Sequence, residues 1–169
     1  EELPLPPIPA PPLAKVRGFP ARSFDAIMLD PPCSALGLRP RLGLEHASLA
    51  AVESLPQVQR QLLAVAVELL REGGELLYST CTITAEECEG NVAHALDRYP
   101  ELELVDCVPP APAAGAWEPA GLQLEGLGGP GLPGCGLDDR ERMLVRRFDP
   151  GAASDLPGFF CAKFRRRRA

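Results

Sequence analysis

Two short apolar runs, each leading into a cysteine-bearing loop, constrain this chain more than any other feature. Phe24-Asp25-Ala26-Ile27-Met28-Leu29-Asp30 is stopped by Pro31-Pro32, and Glu75-Leu76-Leu77-Tyr78-Ser79-Thr80-Cys81 follows Gly73-Gly74. Short apolar runs bounded by turn residues predict buried strands. Between them Val58, Leu62, Val65, Ala66, Leu69 and Leu70 recur at helical spacing, which predicts a helix from about Leu55 to Arg71. Ser54 and Gln57 stand at capping-box spacing at its start, and Gly73-Gly74 ends it. Strand, helix and strand in that order imply parallel strands joined by a right-handed crossover.

The alternation continues. Thr84 and Glu87 form a second capping box, opening a helix to about Tyr99 with Cys88, Val92, Ala95, Leu96 and Tyr99 on its buried stripe and Pro100 closing it. Leu102-Glu103-Leu104-Val105 is a third strand; Met143-Leu144-Val145 and Phe159 to Phe164 are strand candidates near the end. The fold class is therefore α/β with a parallel sheet. A parallel strand buried on both faces needs helices above and below and a neighbour on each side. The first strand emerges almost directly from a proline-rich segment with no helix before it, so the remaining strands and helices are expected upstream.

Most of the 20 Pro and 16 Gly fall in two stretches, 1–22 and 108–136. Neither offers a periodic apolar face, and both are expected to be loop or disordered. The organisation that follows is a Pro-rich segment at 1–22, a partial core at 23–107, a Pro/Gly-rich loop at 108–142, and closing strands with a basic tail at 143–169.

Composition narrows the setting. No apolar run approaches the ~20 residues needed to span a bilayer, and the acidic, proline-rich opening is not a signal peptide. The 6 cysteines, at 33, 81, 88, 107, 135 and 161, form no Cys-x-x-Cys pair; a zinc ribbon is not expected, and no metal is assigned. Cys88, Cys107 and Cys161 read as core residues and Cys135 as a loop thiol. A reduced, intracellular protein is expected, cytoplasmic with a nuclear alternative, monomeric and not membrane-bound. The net charge of −6 speaks against a self-sufficient nucleic-acid binder. Arg165-Arg166-Arg167-Arg168 reads equally as a solvated tail or a phosphate contact. Arg39 and Arg41 stand as candidate phosphate contacts and Trp117 as a candidate stacking residue, each against a plain packing or surface role; His46 and His94 read as structural or surface residues.

Ligands of open α/β sheets bind beyond the carboxyl ends of the strands. Here those ends carry Asp30-Pro31-Pro32-Cys33-Ser34 and Ser79-Thr80-Cys81-Thr82, so neighbouring strands would bring Cys33, Cys81 and Asp30 to one cleft. Two thiols and a carboxylate suit methylation of cytosine carbon 5, a poor nucleophile. A thiolate adding to carbon 6 converts the ring to an enamine that can attack a methyl donor. A nearby acid stabilises N3 or N4, a role for Asp30, and a base then removes the carbon 5 proton. The attacking thiol must reach the thiolate state.

The chain resembles the Sun family of RNA 5-methylcytosine methyltransferases. The resemblance rests on Phe24 to Pro40 with its Asp-x-Pro-Cys-Ser segment, on Tyr78 to Thr84, and on Glu89-Gly90-Asn91-Val92. It continues through Arg147-Phe148-Asp149-Pro150 and Gly158 to Phe164. Leu38-Arg39-Pro40 and Thr80 to Thr84 are most similar to the branch that methylates the acceptor end of certain tRNAs and carries an accessory RNA-binding domain. The resemblance implies the C-terminal half of a Rossmann-like S-adenosyl-L-methionine-dependent methyltransferase sheet, ending in an antiparallel strand. It also implies Cys81 as nucleophile, Cys33 as the residue assisting product release, and Asp30 touching both cytosine and S-adenosyl-L-methionine. RNA, with tRNA foremost, is the implied partner. The family's glycine-rich cofactor loop, acidic ribose-binding residue and catalytic lysine precede the Asp-x-Pro-Cys segment and have no counterpart here. Pro31 replaces the family's frequent Ala.

Three other readings compete. Amino-methyltransferases share Asp-Pro-Pro but follow it with an aromatic residue, where Cys33 stands here. DNA cytosine methyltransferases would make Cys33 the nucleophile and leave Thr80-Cys81 unexplained. A truncated, non-catalytic product would keep an interaction surface without a cofactor site.

Overall fold

Phe24–Leu29 (β1) and Leu70–Thr80 (β2) pair in parallel in the computed structural model, which describes residues 18–38, 49–107, 128–151 and 156–168, and β1 lies at one edge of the sheet. Helix α1 (Leu49–Leu69) connects them; α2 (Glu89–Arg98), β3 (Leu102–Val105), α3 (Asp139–Leu144), β4 (Arg146–Phe148) and β5 (Phe159–Arg166) follow. The sheet order is β1-β2-β5-β3, with β4 also pairing β5. β5 is antiparallel to β2, β3 and β4, so those three run the same way as β1. The parallel pair and the closing antiparallel strand are both present in what is a mixed sheet.

Several boundaries differ from the sequence reading. α1 begins at Leu49 and runs through Pro56, because proline's fixed φ is helical and its absent N–H removes only one rung of the ladder; Ser54 lies inside the helix. β2 begins at Leu70, and its pairing with β1 jumps from Phe24↔Leu70 to Ala26↔Glu75. Gly73, at φ +74°, sits in that bulge, where a left-handed backbone costs glycine little. α2 starts at Glu89, because the Thr84 hydroxyl donates to the Glu87 carboxyl group and does not cap a helix by accepting from a backbone N–H. Met143 and Leu144 end α3 instead of forming a strand. Asp138 caps that helix with Glu141 in a reciprocal box, and the chain becomes extended at Val145, just before β4.

The helices α1 and α2 supply one wall of the core: Leu63, Ala66 and Val67 from α1, Cys88, Val92 and Ala95 at and within α2. The sheet answers with Leu76, Tyr78, Phe160, Ala162 and Phe164. Register explains the match, since Leu76 pairs with Phe164 and Tyr78 with Ala162, and paired residues project to the same face. Fully burying one such side chain contributes about 1.5–3 kcal/mol. The opposite face is less covered. Met28, paired with Leu77, is 73% exposed, so the expected two-sided burial of β1 is not met among the described residues.

The arginine tail is partly structural. Arg166 is buried and donates to the Val67 and Leu70 carbonyls at the end of α1, satisfying helix-terminal acceptors. Arg165 pairs with Glu75, and the Arg167 backbone N–H donates to Glu101. Residues 1–17 and 108–127, with Arg39, Arg41, His46 and Trp117, lie outside the described residues. No helix among the described residues is long and apolar enough to cross a membrane.

Candidate active site

Because β1 and β2 are adjacent and parallel, with Leu29 opposite Tyr78, the loops that leave their carboxyl ends meet. The Sγ atoms of Cys33 and Cys81 lie 3.3 Å apart, both partly buried. Asp30 is exposed at the end of β1, and its charge is near enough to act on the Cys81 thiol. Burial first, then the hydrogen bond and charge of Cys33, then Asp30 hold that thiol up at about 11. The sequence-derived trio therefore converges on one rim of the sheet.

The Cys33 loop is folded back on Cys81. The Gly37 N–H donates to the Cys81 carbonyl at 3.0 Å, and the Gly158 N–H donates to the Gly37 carbonyl at 2.8 Å. A Cβ at Gly37 would overlap the Gly158 carbonyl, so glycine is required by close approach. Ala35 turns the loop at φ +54°, a left-handed conformation costing a non-glycine residue roughly 1–2 kcal/mol. That strain persists only where surrounding bonds impose it.

Those bonds come from a polar cluster beneath the thiols. Glu87 has no exposed surface, yet its carboxyl group accepts from the Ser34 N–H at 2.9 Å, Gln59 Nε2 at 2.8 Å and Thr84 Oγ1 at 2.8 Å. Ser34 Oγ and Thr82 Oγ1 share a hydrogen bond of 2.6 Å. Gln59 Nε2 also donates to the Pro32 carbonyl, Asn91 Nδ2 to Gln59 Oε1, and the Tyr78 hydroxyl to the Glu87 carbonyl. A second buried pair braces the far side: Arg147 Nη1 contacts both Glu89 carboxyl oxygens at 3.1 and 3.0 Å, and its Nη2 donates to the Ile83 carbonyl.

Spacing alone marks none of Gln59, Glu87, Glu89 and Arg147 as partners of the cysteines. The available signal was polar residues on otherwise apolar faces: Gln59 on α1 is 0% exposed, as are Glu89 and Asn91 on α2, and such groups are buried only when paired. Cys88 is fully buried as expected, whereas Cys107 and Cys161 are only partly so, with Cys107 Sγ donating to the Cys161 carbonyl. Cys135 contacts the Pro133 carbonyl in a loop. A concavity of 410 Å³ lined by Arg22, Val67, Glu68, Arg98, Tyr99 and Arg166 lies at the other end of the strands, away from the rim where such sheets bind ligands.

Residues 13–165 match the family model described as 16S rRNA methyltransferase RsmB/F. An rRNA (cytosine-C(5))-methyltransferase, NOP2C of Arabidopsis thaliana, is 43% identical over 160 residues, covering 89% of this chain and 24% of the relative. The mouse tRNA (cytosine(72)-C(5))-methyltransferase NSUN6 is 38% identical, covering 86% of this chain and 32% of its own length. The crystal structure of NSun6 from Pyrococcus horikoshii with SFG superposes with a TM-score of 0.61 at 34% identity, over 84% of this chain and 30% of that one. A methyltransferase homologue from the same organism gives 0.63 at 30% identity, over 86% and 40%. The chain thus spans a quarter to a third of these curated relatives.

Proposed function

The chain belongs to the 16S rRNA methyltransferase RsmB/F family, and from that premise we propose that it carries the catalytic cysteines of an RNA cytosine-5 methyltransferase. The observation that carries this reading is the 3.3 Å approach of Cys33 and Cys81 at the carboxyl ends of adjacent parallel strands. Methylating an exocyclic amine would need no thiol. Methylating carbon 5 needs one thiol to join carbon 6 and a further group to help it leave.

Cys81 is the nucleophile. Its proton passes to solvent, and as the thiolate Sγ bonds to carbon 6 the 5,6 double bond opens, which makes carbon 5 electron-rich. Asp30 holds the pyrimidine at N3 or N4 while the adduct forms. S-adenosyl-L-methionine, when bound, supplies the electrophilic methyl group. The exposed Asp30 carboxyl group at the strand end fits that positively charged donor, and a neighbouring structure holds SFG, an S-adenosylmethionine analogue. Once a base has taken the carbon 5 proton, the freed electron pair re-forms the 5,6 double bond as Cys81 Sγ leaves, and Cys33, in contact with that Sγ, assists its departure.

RNA is the substrate, and the tRNA acceptor end is its narrower form. The names of the mouse relative and of a Pyrococcus horikoshii relative, 46% identical over 79 residues, support tRNA, while the Arabidopsis relative acts on rRNA. The test is adduct trapping with the intact protein and cytosine-containing RNA. Cys33→Ala should give a denaturant-resistant protein–RNA band, and Cys81→Ala and the double substitution should give none. A band trapped by Cys81→Ala would transfer the nucleophile to Cys33. No band in any variant, with methylation intact in all, would remove thiol chemistry from the site.

A further inference from the structure

We propose that Glu87 is a positioning residue that sets the separation of the two thiols by tying the Cys33 loop to the Cys81 loop. This inference rests on the methyltransferase reading for its consequence in catalysis, but not for its geometry. The residue after each cysteine is held by the same cluster: Ser34 through its N–H to Glu87 at 2.9 Å, and Thr82 through its hydroxyl to Glu87 at 3.4 Å and to Ser34 Oγ at 2.6 Å. Thr84 Oγ1 adds a third bond from the Cys81 side, at 2.8 Å. Gln59 holds the Cys33 side twice, bridging the Pro32 carbonyl and Glu87. Hydrogen bonds from both loops therefore converge on one carboxyl group with no exposed surface.

A carboxyl group suits this place because it offers two acceptor oxygens and ~4 lone-pair sites. One oxygen takes the two N–H donors, from Ser34 and Gln59; the other takes the two hydroxyls, from Thr82 and Thr84. The asymmetry decides what each substitution does. Glu87→Ala leaves buried donors unsatisfied and frees both loops. Glu87→Gln can keep its amide oxygen toward the two N–H donors and turn its NH₂ toward the hydroxyls, which rotate to accept. The clamp then survives without the charge. A group acting by charge or proton transfer would lose as much in Glu87→Gln as in Glu87→Ala.

The test uses the intact protein and dibromobimane, which bridges two thiols only when they are close and becomes fluorescent on bridging; peptide mass spectrometry identifies the Cys33–Cys81 product. Wild type should bridge. Glu87→Ala should lose most of the bridged product, and Glu87→Gln should recover most of it. Thr82→Val, which keeps the volume and removes the hydroxyl, should fall between them and serves if Glu87→Ala does not fold. In the methylation assay, kcat of Glu87→Ala should drop about a hundredfold, the effect of ~1 Å of misplacement, with KM for RNA nearly unchanged. Unaltered bridging in folded Glu87→Ala and Thr82→Val would overturn the inference. So would normal bridging with equal loss of kcat in Glu87→Ala and Glu87→Gln. Bridging that depends on Glu87 in a protein that methylates no RNA would uphold the clamp and sink the proposed activity instead.

Discussion

The thiols of Cys33 and Cys81 are in contact at 3.3 Å although 48 residues separate them in sequence. No helix carries either one. Each sits in the loop just beyond the end of its strand, and the parallel pairing of β1 with β2 brings the two loops to the same edge. That placement lets one thiol form a bond while the other acts on the same atoms from the neighbouring loop.

Asp30→Ala in the intact protein should lower methyl transfer far more than RNA binding. General acid–base groups contribute on the order of 10²–10⁴-fold, and an interaction made mainly in the transition state lowers kcat rather than raising KM. Single-turnover methylation and RNA-binding titration measure the two separately. If only RNA affinity falls, Asp30 docks RNA and takes no part in the chemistry.

Gly37→Ala should disturb the Cys33 loop without touching either thiol. The added methyl overlaps the Gly158 carbonyl, so the loop must shift and both the Gly158–Gly37 and Gly37–Cys81 hydrogen bonds weaken. Each such bond contributes about 0.5–1.5 kcal/mol net. The unfolding free energy from denaturant titration should fall by an amount of that order, lowering the midpoint, and dibromobimane bridging should fall with it. A midpoint and a bridging yield both equal to wild type would mean that the loop takes another path in solution.

Strands β1, β2, β3 and β5 and the two core helices were legible because they rest on local pattern: apolar runs, helical spacing and turn residues. Strand β4, at Arg146–Phe148, was not, and the thiol pair followed only once β1 and β2 were taken as neighbours. Met143 and Leu144 misled because three apolar residues alone do not distinguish the end of a helix from a strand, and the deciding signal was the Asp138–Glu141 box upstream. Thr84 and Glu87 have capping-box spacing, yet Glu87 turns inward to Ser34 and Gln59; tertiary partners outcompete the local cap. The place of β5 between β2 and β3 depends on pairings more than 60 residues apart in sequence for every contact with β2, which no local window contains. Residue-level bonds such as Glu89–Arg147, 58 residues apart, are likewise invisible until the topology is known.

Breaking the Glu89–Arg147 pair should be costly. Arg147 is 5% exposed and Glu89 has no exposed surface, and removing one partner of a buried pair leaves an uncompensated charge, worth about 3–5 kcal/mol. Arg147→Met and Glu89→Gln should each lower stability by that order in denaturant titrations. The double substitution should lose less than the sum of the two, because no charge is stranded. Strict additivity would show that the two side chains do not interact in solution.

Cys33→Ala should make Cys81 more reactive at pH 8, even while it impairs turnover. The Cys81 thiol is held up at about 11 by burial first and by Cys33 second, so deleting Cys33 removes an upward push and moves its titration down. The sign follows: a lower pKa leaves more thiolate at a fixed pH below it. Each unit of fall raises the thiolate fraction roughly tenfold, while the weaker basicity costs roughly threefold in intrinsic nucleophilicity, leaving a net gain of about threefold per unit. Iodoacetamide labelling of Cys81, followed by peptide mass spectrometry from pH 7 to 11, measures both midpoint and rate. The midpoint should fall in Cys33→Ala but stay above that of a free thiol, since burial remains. Asp30→Asn should lower it less, because Asp30 acts more weakly than Cys33 on this thiol. An unchanged midpoint in Cys33→Ala would mean that the two sulfur atoms are not in contact in the resting protein, and the geometry on which the covalent mechanism depends would have to be formed by the substrate.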